Sequence, residues 1–373
     1  MFASKFSTTS VVCMLTVPLN DVHLALGAKM CPFAGYQMPI EYPTGTVAEH
    51  TAVRNAVGVF DVSHMGKVRV VGPGAVDFLN SVLANDLARI SDGQAQYSLL
   101  CNEAGGVVDD LIVYRVSKDE VRIVPNAANA PAVVAALRTQ APNDVEIIDL
   151  QNQQGILAVQ GPISAKVIEQ LGLPSAMDYM AFEIATWQGH ELTVCRTGYT
   201  GEHGYELIAP NEILVPLWQS LLSEGQQFGL TPCGLGARDT LRTEMGYPLH
   251  GQDISPDISP VAARLGWAIG WGKPEFNGRM ALSAQKTSGL PQALFGLRAL
   301  DRGVPRPHMK VLVGEREIGE TTSGTFSPTL QQGIAMALLD ADTRLGDEVV
   351  IDVRGRQLRA EVVKPPFLAA NVR

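Results

Sequence analysis

Hydrophobic and polar positions along residues 14–144 recur with two different periods. The run GKVRVVG at 66–72 alternates as in a strand, whereas GAVDFLNSVLAND at 74–86 repeats its apolar residues with helical spacing. AQYSLLC and VVDDLIVYRV, on either side of Asn102–Gly106, predict a hairpin, and DEVRIVPN and APAVVAALRTQ predict a further strand and helix. Strands and helices without a regular βαβ order indicate α+β layers rather than a doubly wound sheet.

The pattern changes twice further along the chain. Between 145 and 225, two strand–helix–strand runs have the length of a ferredoxin-like half. From Leu294 onward, short alternating strands with tight turns are typical of a small antiparallel barrel or sandwich. Residues 272–291, between these regions, are predicted to form a linker.

These patterns divide the chain into four parts: an N-terminal extension at 1–13, an α+β domain at 14–144, a ferredoxin-like α+β domain with its linker at 145–290, and an antiparallel β-barrel at 291–373. The apolar run VVCMLTVPL at 11–19 faintly resembles a secretion signal but lacks a convincing small-residue cleavage site. We interpret residues 1–13 as an extension before an alternative start at Met14.

Composition narrows the function classes. The chain of 373 residues has a formal net charge of −9, which argues against nonspecific nucleic-acid binding. No apolar stretch reaches the roughly 18 residues of a membrane span, so neither nucleic acid nor a membrane is an expected partner. The five cysteines have no CxxC spacing and the seven histidines no HxxxH pairing, so no metal site is expected, and a reducing cytoplasm fits.

Two adjacent carboxylates interrupt the apolar strand GGVVDDLIVYR. Asp110 shares a strand face with Tyr114, and Asp109 lies on the opposite face. One interpretation places Asp110 in a pocket, where it acts on a substrate nitrogen or a developing cation. The alternative is that both aspartates cap a loop at the strand end.

Two further stretches carry candidate chemistry. RTGYTGEHGYE contains Tyr199 and Glu206 beside three glycines, and its carboxylate could accept paired hydrogen bonds from an aminopyrimidinone edge; a solvated hairpin is the alternative. GLGARD lacks the third glycine of a dinucleotide fingerprint. Arg238 in the first helical turn opposes the helix dipole, which favours an anionic partner, either a ligand or an internal acid.

A hydrolase is the weakest enzyme hypothesis. Asp61, Ser63 and His64 lie close together in FDVSHMG, but the chain contains no GxSxG elbow. A histidine beside a serine is more often a hydrogen-bonding residue of a turn or core than a member of a triad.

Six stretches follow one another in the order found in the aminomethyltransferases, the T-proteins of the glycine cleavage system. They are LGAKM…FAGYQMPIEY, FDVSHMG, NEAGGVVDDLIVYR, RTGYTGEHGYEL, GLGARD…GYPLHGQD and TSGTFSPTL…IAMALL. The chain resembles this family over roughly residues 14–373. Tyr36 replaces a common tryptophan of the family, away from the catalytic positions.

The resemblance implies a three-domain, folate-dependent fold whose first domain, at 14–144, binds folate. It further implies transfer of the methylene carbon from an aminomethyl group on the lipoyl arm of H-protein to tetrahydrofolate, with release of ammonia. Asp110 matches the catalytic aspartate, which would stabilise an iminium-like carbon and take a proton from a folate nitrogen. Folate-contacting positions of the family match Tyr97, Tyr114, Asn126, Tyr199, Glu206 and Arg238.

Relatives on the same fold offer the alternatives. A fused flavin oxidase is excluded, because the chain has no flavin-binding dinucleotide fingerprint. A folate-binding scaffold for iron–sulfur assembly is disfavoured by the presence of Asp110. A free-standing, tetrahydrofolate-dependent demethylase of a small methyl donor stays open as the enzyme alternative.

Overall fold

The computed structural model describes residues 14–373. The predicted extension at 1–13 lies outside the described residues. The strands, in chain order, are β1 (Leu15–Thr16), β2 (Lys29–Phe33), β3 (Tyr36–Glu41), β4 (Gly58–Asp61), β5 (Val68–Val71), β6 (Gln94–Cys101), β7 (Val107–Ser117), β8 (Glu120–Pro125), β9 (Glu146–Asp149), β10 (Gln154–Gln160), β11 (Phe182–Trp187), β12 (His190–Cys195), β13 (Gly204–Pro210), β14 (Thr231–Pro232), β15 (Gln292–Ala299), β16 (Lys310–Val313), β17 (Arg316–Ser327), β18 (Gln332–Asp340), β19 (Glu348–Val353) and β20 (Arg356–Val363).

Helices cover the sheets and join them. They are α1 (Asn20–Ala25), α2 (Thr46–Asn55), α3 (Ala75–Val82), α4 (Ala130–Gln140), α5 (Ser164–Gln170), α6 (Asn211–Gly225), α7 (Leu235–Glu244) and α8 (Arg279–Ser288), with 3-10 turns at Leu87–Arg89, Gln226–Phe228 and Gly266–Ala268. Within residues 14–373, no helix has both the length and the apolar character needed to cross a membrane.

A five-stranded antiparallel sheet has the order β6-β7-β8-β5-β9. Its β6–β7 hairpin confirms the predicted turn, where Gly105 has a φ of +85° and the Asn102 side chain accepts a hydrogen bond from the Gly106 amide. Helices α3 and α4 bury their apolar faces against one side of this sheet, including Leu79, Val133 and Leu137.

A six-stranded sheet has the order β11-β12-β13-β10-β4-β14. Helices α5 and α6 cover one face, where Trp218 is completely buried. The other face packs towards the five-stranded sheet through apolar side chains such as Phe60 and Phe182, which cluster with Tyr114 of β7. The site described below lies along this junction of the two sheets.

Two pairs of strands cross the predicted domain boundary between residues 144 and 145. Strand β4 belongs to the first segment but pairs with β10 of the second, and β9 belongs to the second but pairs with β5. Strand β4 therefore lies between β10 and β14 within the ferredoxin-like part. The division into domains stays a proposal, and the two segments exchange one strand each.

The C-terminal strands close into the expected antiparallel barrel, in the order β15-β18-β17-β16-β19-β20. The segment predicted to be a linker contains helix α8, with Leu282 buried against the β6–β7 hairpin. Lys273 is also buried there, and its Nζ donates to the carbonyls of Leu83 and Asn85. The segment 272–291 therefore packs against the rest of the fold and is not an unstructured linker. The mixed elements and the closed barrel confirm the predicted fold class.

Candidate active site

A cavity of about 1030 Å³ opens where both sheets, helix α7 and the barrel meet. Each of these parts contributes polar side chains to its wall. Those considered below are Tyr97, Asp110 and Asn126 from the five-stranded sheet and its α4 connection, Thr197 and Tyr199 from the loop between β12 and β13, Glu206 from β13, and Arg238 from α7. The structure therefore brings together six of the seven predicted site residues.

Asp110 points from β7 towards this cavity. The Tyr97 hydroxyl, on the neighbouring strand β6, donates to Asp110 Oδ2 at 3.1 Å, and Asn126 Nδ2 donates to Oδ1 at 2.7 Å. Burial raises the pKa of Asp110 above its ordinary value, and the nearby His250 and both hydrogen bonds oppose that rise. Asp110 is thus an oriented carboxyl group whose proton affinity is increased.

Asp109 is completely buried on the opposite side of β7. It accepts hydrogen bonds from the backbone and side-chain amides of Asn126, at 3.0 and 2.9 Å, and from Asn129 Nδ2 at 2.7 Å. Burial and the neighbouring Asp110 raise its pKa to about 8. These contacts anchor the start of α4 to the strand, so Asp109 has a structural role.

Glu206 reaches the cavity from β13, where it pairs with Ala158 of β10 and Cys195 of β12. The Thr197 hydroxyl donates to Glu206 Oε2 and so fixes the carboxylate. The side chain remains partly exposed at the cavity wall, where its oxygens can accept hydrogen bonds from a ligand.

Tyr114 lies behind the wall rather than in it. Its ring is 1% exposed, packs edge-on against Phe182, and is not among the described residues that line the cavity. The expectation of a ring contact with folate is therefore corrected. Its hydroxyl lies 3.3 Å from Thr197 Oγ1, so it supports the residue that holds Glu206.

Among residues 14–373 Arg238 forms no ion pair, although the Glu206 carboxylate is near enough to oppose the effect of burial on its pKa. Its guanidinium lies 4.7 Å from the centre of the Tyr199 ring, and burial lowers its pKa. Within residues 14–373, no carboxylate lies within ion-pair distance of it, and its Nη1 has no hydrogen-bond partner. The alternative of a structural arginine paired with an internal acid therefore does not describe Arg238.

The structural ion pairs belong to Arg242, one turn later on α7. Its guanidinium lies 2.7 Å from Asp239 and 2.8 Å from the completely buried Asp253. Asp253 also accepts hydrogen bonds from Thr322 and Ser323 of β17. This network fastens the barrel to α7 and leaves Arg238 free to face the cavity.

Two cavity residues were not predicted as ligand contacts. Trp267 is 64% exposed and stacks on Tyr97, with ring centres 5.4 Å apart. His64 is buried, lines the cavity, and has an Nδ1 without a hydrogen-bond partner among the described residues. The sequence gives no signal for Trp267, because its partner lies 170 positions away along the chain (267 − 97).

The residues that suggested a hydrolase do not form a triad. Asp61 lies 2.9 Å from His23 Nε2 rather than beside His64, and accepts the Ser63 backbone amide. The Ser63 hydroxyl accepts from the Ile156 amide at 3.1 Å. This group is buried structure around β4.

Comparisons with known proteins agree with this geometry. Residues 19–273 match the family model of the GCVT N-terminal domain, and residues 292–368 match the glycine cleavage T-protein C-terminal barrel domain. An aminomethyltransferase of Parafrankia sp. (strain EAN1pec) is 57% identical over 95% of this chain and 98% of its own length. One from Mycobacterium tuberculosis (strain ATCC 25618 / H37Rv) is 55% identical over 95% and 97%.

A solved structure extends the likeness to the whole fold. The crystal structure of glycine cleavage system aminomethyltransferase T from Bartonella henselae superposes with a TM-score of 0.91 at 36% identity, covering 96% of this chain and 99% of that one. Matches of this extent in sequence and structure show that the chain belongs to the glycine cleavage T-protein family, the aminomethyltransferases.

Proposed function

We propose that this aminomethyltransferase takes the methylene carbon of an aminomethyl group on the lipoyl arm of H-protein and passes it to tetrahydrofolate. The observation that carries the proposal is the Asp110 carboxyl group, oriented by Tyr97 and Asn126 in the wall of a cavity that also presents Glu206 and Arg238. The products are ammonia, 5,10-methylenetetrahydrofolate and dihydrolipoyl H-protein.

Asp110 has two tasks in this reaction. Its negative charge stabilises the positive charge that develops on the transferred carbon as the bond from carbon to lipoyl sulfur breaks. Its raised pKa makes it a better acceptor for the proton that a folate nitrogen loses when it bonds to that carbon. Hydrogen bonds from Tyr97 and Asn126 hold both oxygens in place, which limits the reorganisation needed during reaction.

The remaining wall residues fit a reduced folate. The Glu206 carboxylate can accept paired hydrogen bonds from the amino and ring N–H groups of the pterin. Tyr97, Tyr199 and Trp267 offer aromatic faces to flat rings, and Arg238 offers an unpaired cation to folate oxygens. Asn126 contributes by orienting Asp110.

The partner and the compartment follow from the same function. An aminomethyl group on a lipoyl arm must reach Asp110 through the cavity, so we propose lipoylated H-protein as the partner. We place the reaction in the cytoplasm, where the free thiols Cys31, Cys101, Cys195 and Cys233 stay reduced.

An assay of ammonia release from aminomethylated H-protein, with and without tetrahydrofolate, tests the proposal. We expect rapid release only when tetrahydrofolate is present, together with formation of methylenetetrahydrofolate. Inactivity on that substrate, with folate-dependent demethylation of a small methyl donor, would establish the alternative instead. The curated relatives of 53–57% identity that carry the aminomethyltransferase name do not favour that alternative.

A further inference from the structure

His64 is a polar side chain in the cavity wall that the mechanism above leaves without a task. It is 2% exposed, and its Nδ1 is enclosed without a hydrogen-bond partner among residues 14–373. Because His64 lines the cavity while Nδ1 is enclosed, Nε2 is the ring nitrogen left to face the cavity. The structure shows no hydrogen bond from a described residue to Nε2 either, so this nitrogen is available to a ligand in the cavity.

The loop that carries His64 is held from several sides. Lys67 Nζ donates to the carbonyls of Ser63 and Met65, both at 2.8 Å, and Gln151 Nε2 donates to the His64 carbonyl at 3.2 Å. The imidazole also meets Phe33 edge-on, with ring centres 5.5 Å apart. The ring is therefore positioned before any ligand arrives, which lowers the cost of binding.

Charge decides what this ring can bind. Burial, reinforced by the Arg238 cation, lowers the pKa of His64 to about 3, so the imidazole is neutral and carries one N–H. The cation nearby favours a ligand atom with negative partial charge beside the ring. Nε2–H then acts as a donor to an oxygen acceptor.

Strand register separates His64 from the carboxylate assigned to the pterin. Glu206 pairs with Ala158, which in turn pairs with Phe60 of β4. Two steps between strands place Phe60 and Glu206 about 10 Å apart. His64 follows four residues after Phe60, beyond the end of β4 (64 − 60). A folate whose pterin binds Glu206 would meet His64 with another part of the molecule.

We propose that Nε2–H of His64 donates to an oxygen of the p-aminobenzoyl-glutamate portion of tetrahydrofolate, beside Arg238. This inference rests on the folate binding proposed above. That portion carries an amide carbonyl and carboxylates, which suit a donor next to a cation. The aminomethyl end of the lipoyl arm is itself cationic, and Arg238 would repel it from this position.

Calorimetric titration of the full chain with two ligands tests the assignment. Tetrahydrofolate carries the p-aminobenzoyl-glutamate portion, and 6-methyltetrahydropterin lacks it. His64→Phe keeps a ring but removes the donor, and we expect it to raise the Kd for tetrahydrofolate about 3- to 10-fold, the loss of one hydrogen bond. The Kd for the pterin should stay within about twofold of wild type.

Three further variants make the outcome decisive. His64→Gln places an amide N–H near the position of Nε2 and should recover most of the tetrahydrofolate affinity. His203→Gln is the matched control, because His203 is also a neutral histidine, with a pKa lowered by burial to about 4, and binds Ser164 outside the cavity. His64→Leu repeats the test should phenylalanine disturb the packing at Phe33.

The results separate this inference from the proposed function. Equal losses for both ligands, or unchanged tetrahydrofolate affinity in His64→Phe and His64→Leu, would overturn the role of His64 while folate binding by the wild type still stood. A wild-type chain that binds neither ligand would overturn the proposed function and this inference with it. Selective loss of tetrahydrofolate affinity, with recovery in His64→Gln, is the result that supports it.

Discussion

The side-chain amide of Asn126 lies 2.7 Å from Oδ1 of Asp110. The same Nδ2 lies 2.9 Å from the Asp110 backbone carbonyl and 2.9 Å from Asp109 Oδ1, so its two hydrogens serve three acceptors. One amide therefore connects the cavity-facing carboxyl group with the buried one. The two adjacent aspartates have different environments, but both accept a hydrogen bond from the side chain of Asn126, which lies between β8 and α4.

Asp110→Asn removes the negative charge of this side chain but keeps its shape. The amide keeps the size of the carboxyl group, but it can neither stabilise a cation by charge nor accept a proton. We expect methylene transfer to fall about 10²- to 10⁴-fold while the Kd for tetrahydrofolate changes less than about threefold. Asp109→Asn is the control and should lower the melting temperature with a much smaller effect on turnover. Wild-type turnover in Asp110→Asn would remove Asp110 from the chemistry.

Glu206→Ala tests the pterin contact. In the proposed binding mode Glu206 accepts paired hydrogen bonds from the pterin, so its removal should raise the Kd for tetrahydrofolate by about 10- to 100-fold. The exposed Glu183 on β11 provides the control, because Glu183→Ala alters charge by the same amount outside the cavity. Titration of both variants gives the comparison, and equal affinities would show that Glu206 does not hold the ligand.

Local patterns were sufficient to predict many of the elements. Alternation predicted the β6–β7 hairpin and placed Asp109 and Asp110 on opposite faces, because strand side chains alternate whatever the tertiary context. Helix α4 was predicted at its observed bounds, and its apolar spacing explains which face it buries. Short alternating strands predicted an antiparallel barrel or sandwich for the C-terminal part, and the structure closes them into a barrel.

Local patterns could not predict which strands and side chains meet when they lie far apart in the sequence. Strand β4 pairs with β10 in the six-stranded sheet, and β9 pairs with β5 in the five-stranded sheet. Tertiary packing, rather than the neighbouring residues in the sequence, determines such partners. Tyr114 shares a strand face with Asp110, yet only the packing of Phe182 shows that its ring is buried. Local patterns likewise do not show that Asp253 pairs with Arg242 rather than with Arg238.

Arg242→Met probes the connection between α7 and the barrel. The substitution leaves Asp253 buried without its cation, which we expect to cost about 3–5 kcal/mol in unfolding free energy. Arg298→Met removes a partly exposed pair with Glu361 on the barrel surface and should cost about 1 kcal/mol or less. Denaturant unfolding of both variants measures the difference. Equal destabilisation would mean that the Arg242–Asp253 pair does not fasten the barrel.

A second buried carboxylate, Glu244 at the end of α7, joins three parts of the fold. It lies 3.4 Å from His50 Nε2 and 2.7 Å from Arg54 Nη2, both on α2, and accepts the Ser327 hydroxyl of the barrel. Burial opposes its ionisation, but the hydrogen bond and charge of His50, with help from Ser327 and Arg54, lower its pKa to about 2 from an ordinary 4.5.

The lowered pKa of Glu244 makes the stability of the folded chain in acid depend on this residue. Because the folded pKa is lower than the unfolded one, the group contributes its full stabilisation above about pH 4.5 and loses it as the pH falls towards 2. Glu244→Gln should therefore unfold at a lower temperature than wild type at pH 7, and the gap should shrink between pH 4.5 and 3. Glu183→Gln, an exposed control, should show little difference at either pH. A gap between Glu244→Gln and wild type that stays constant over this range would show that the carboxylate is not preferentially ionised in the folded chain.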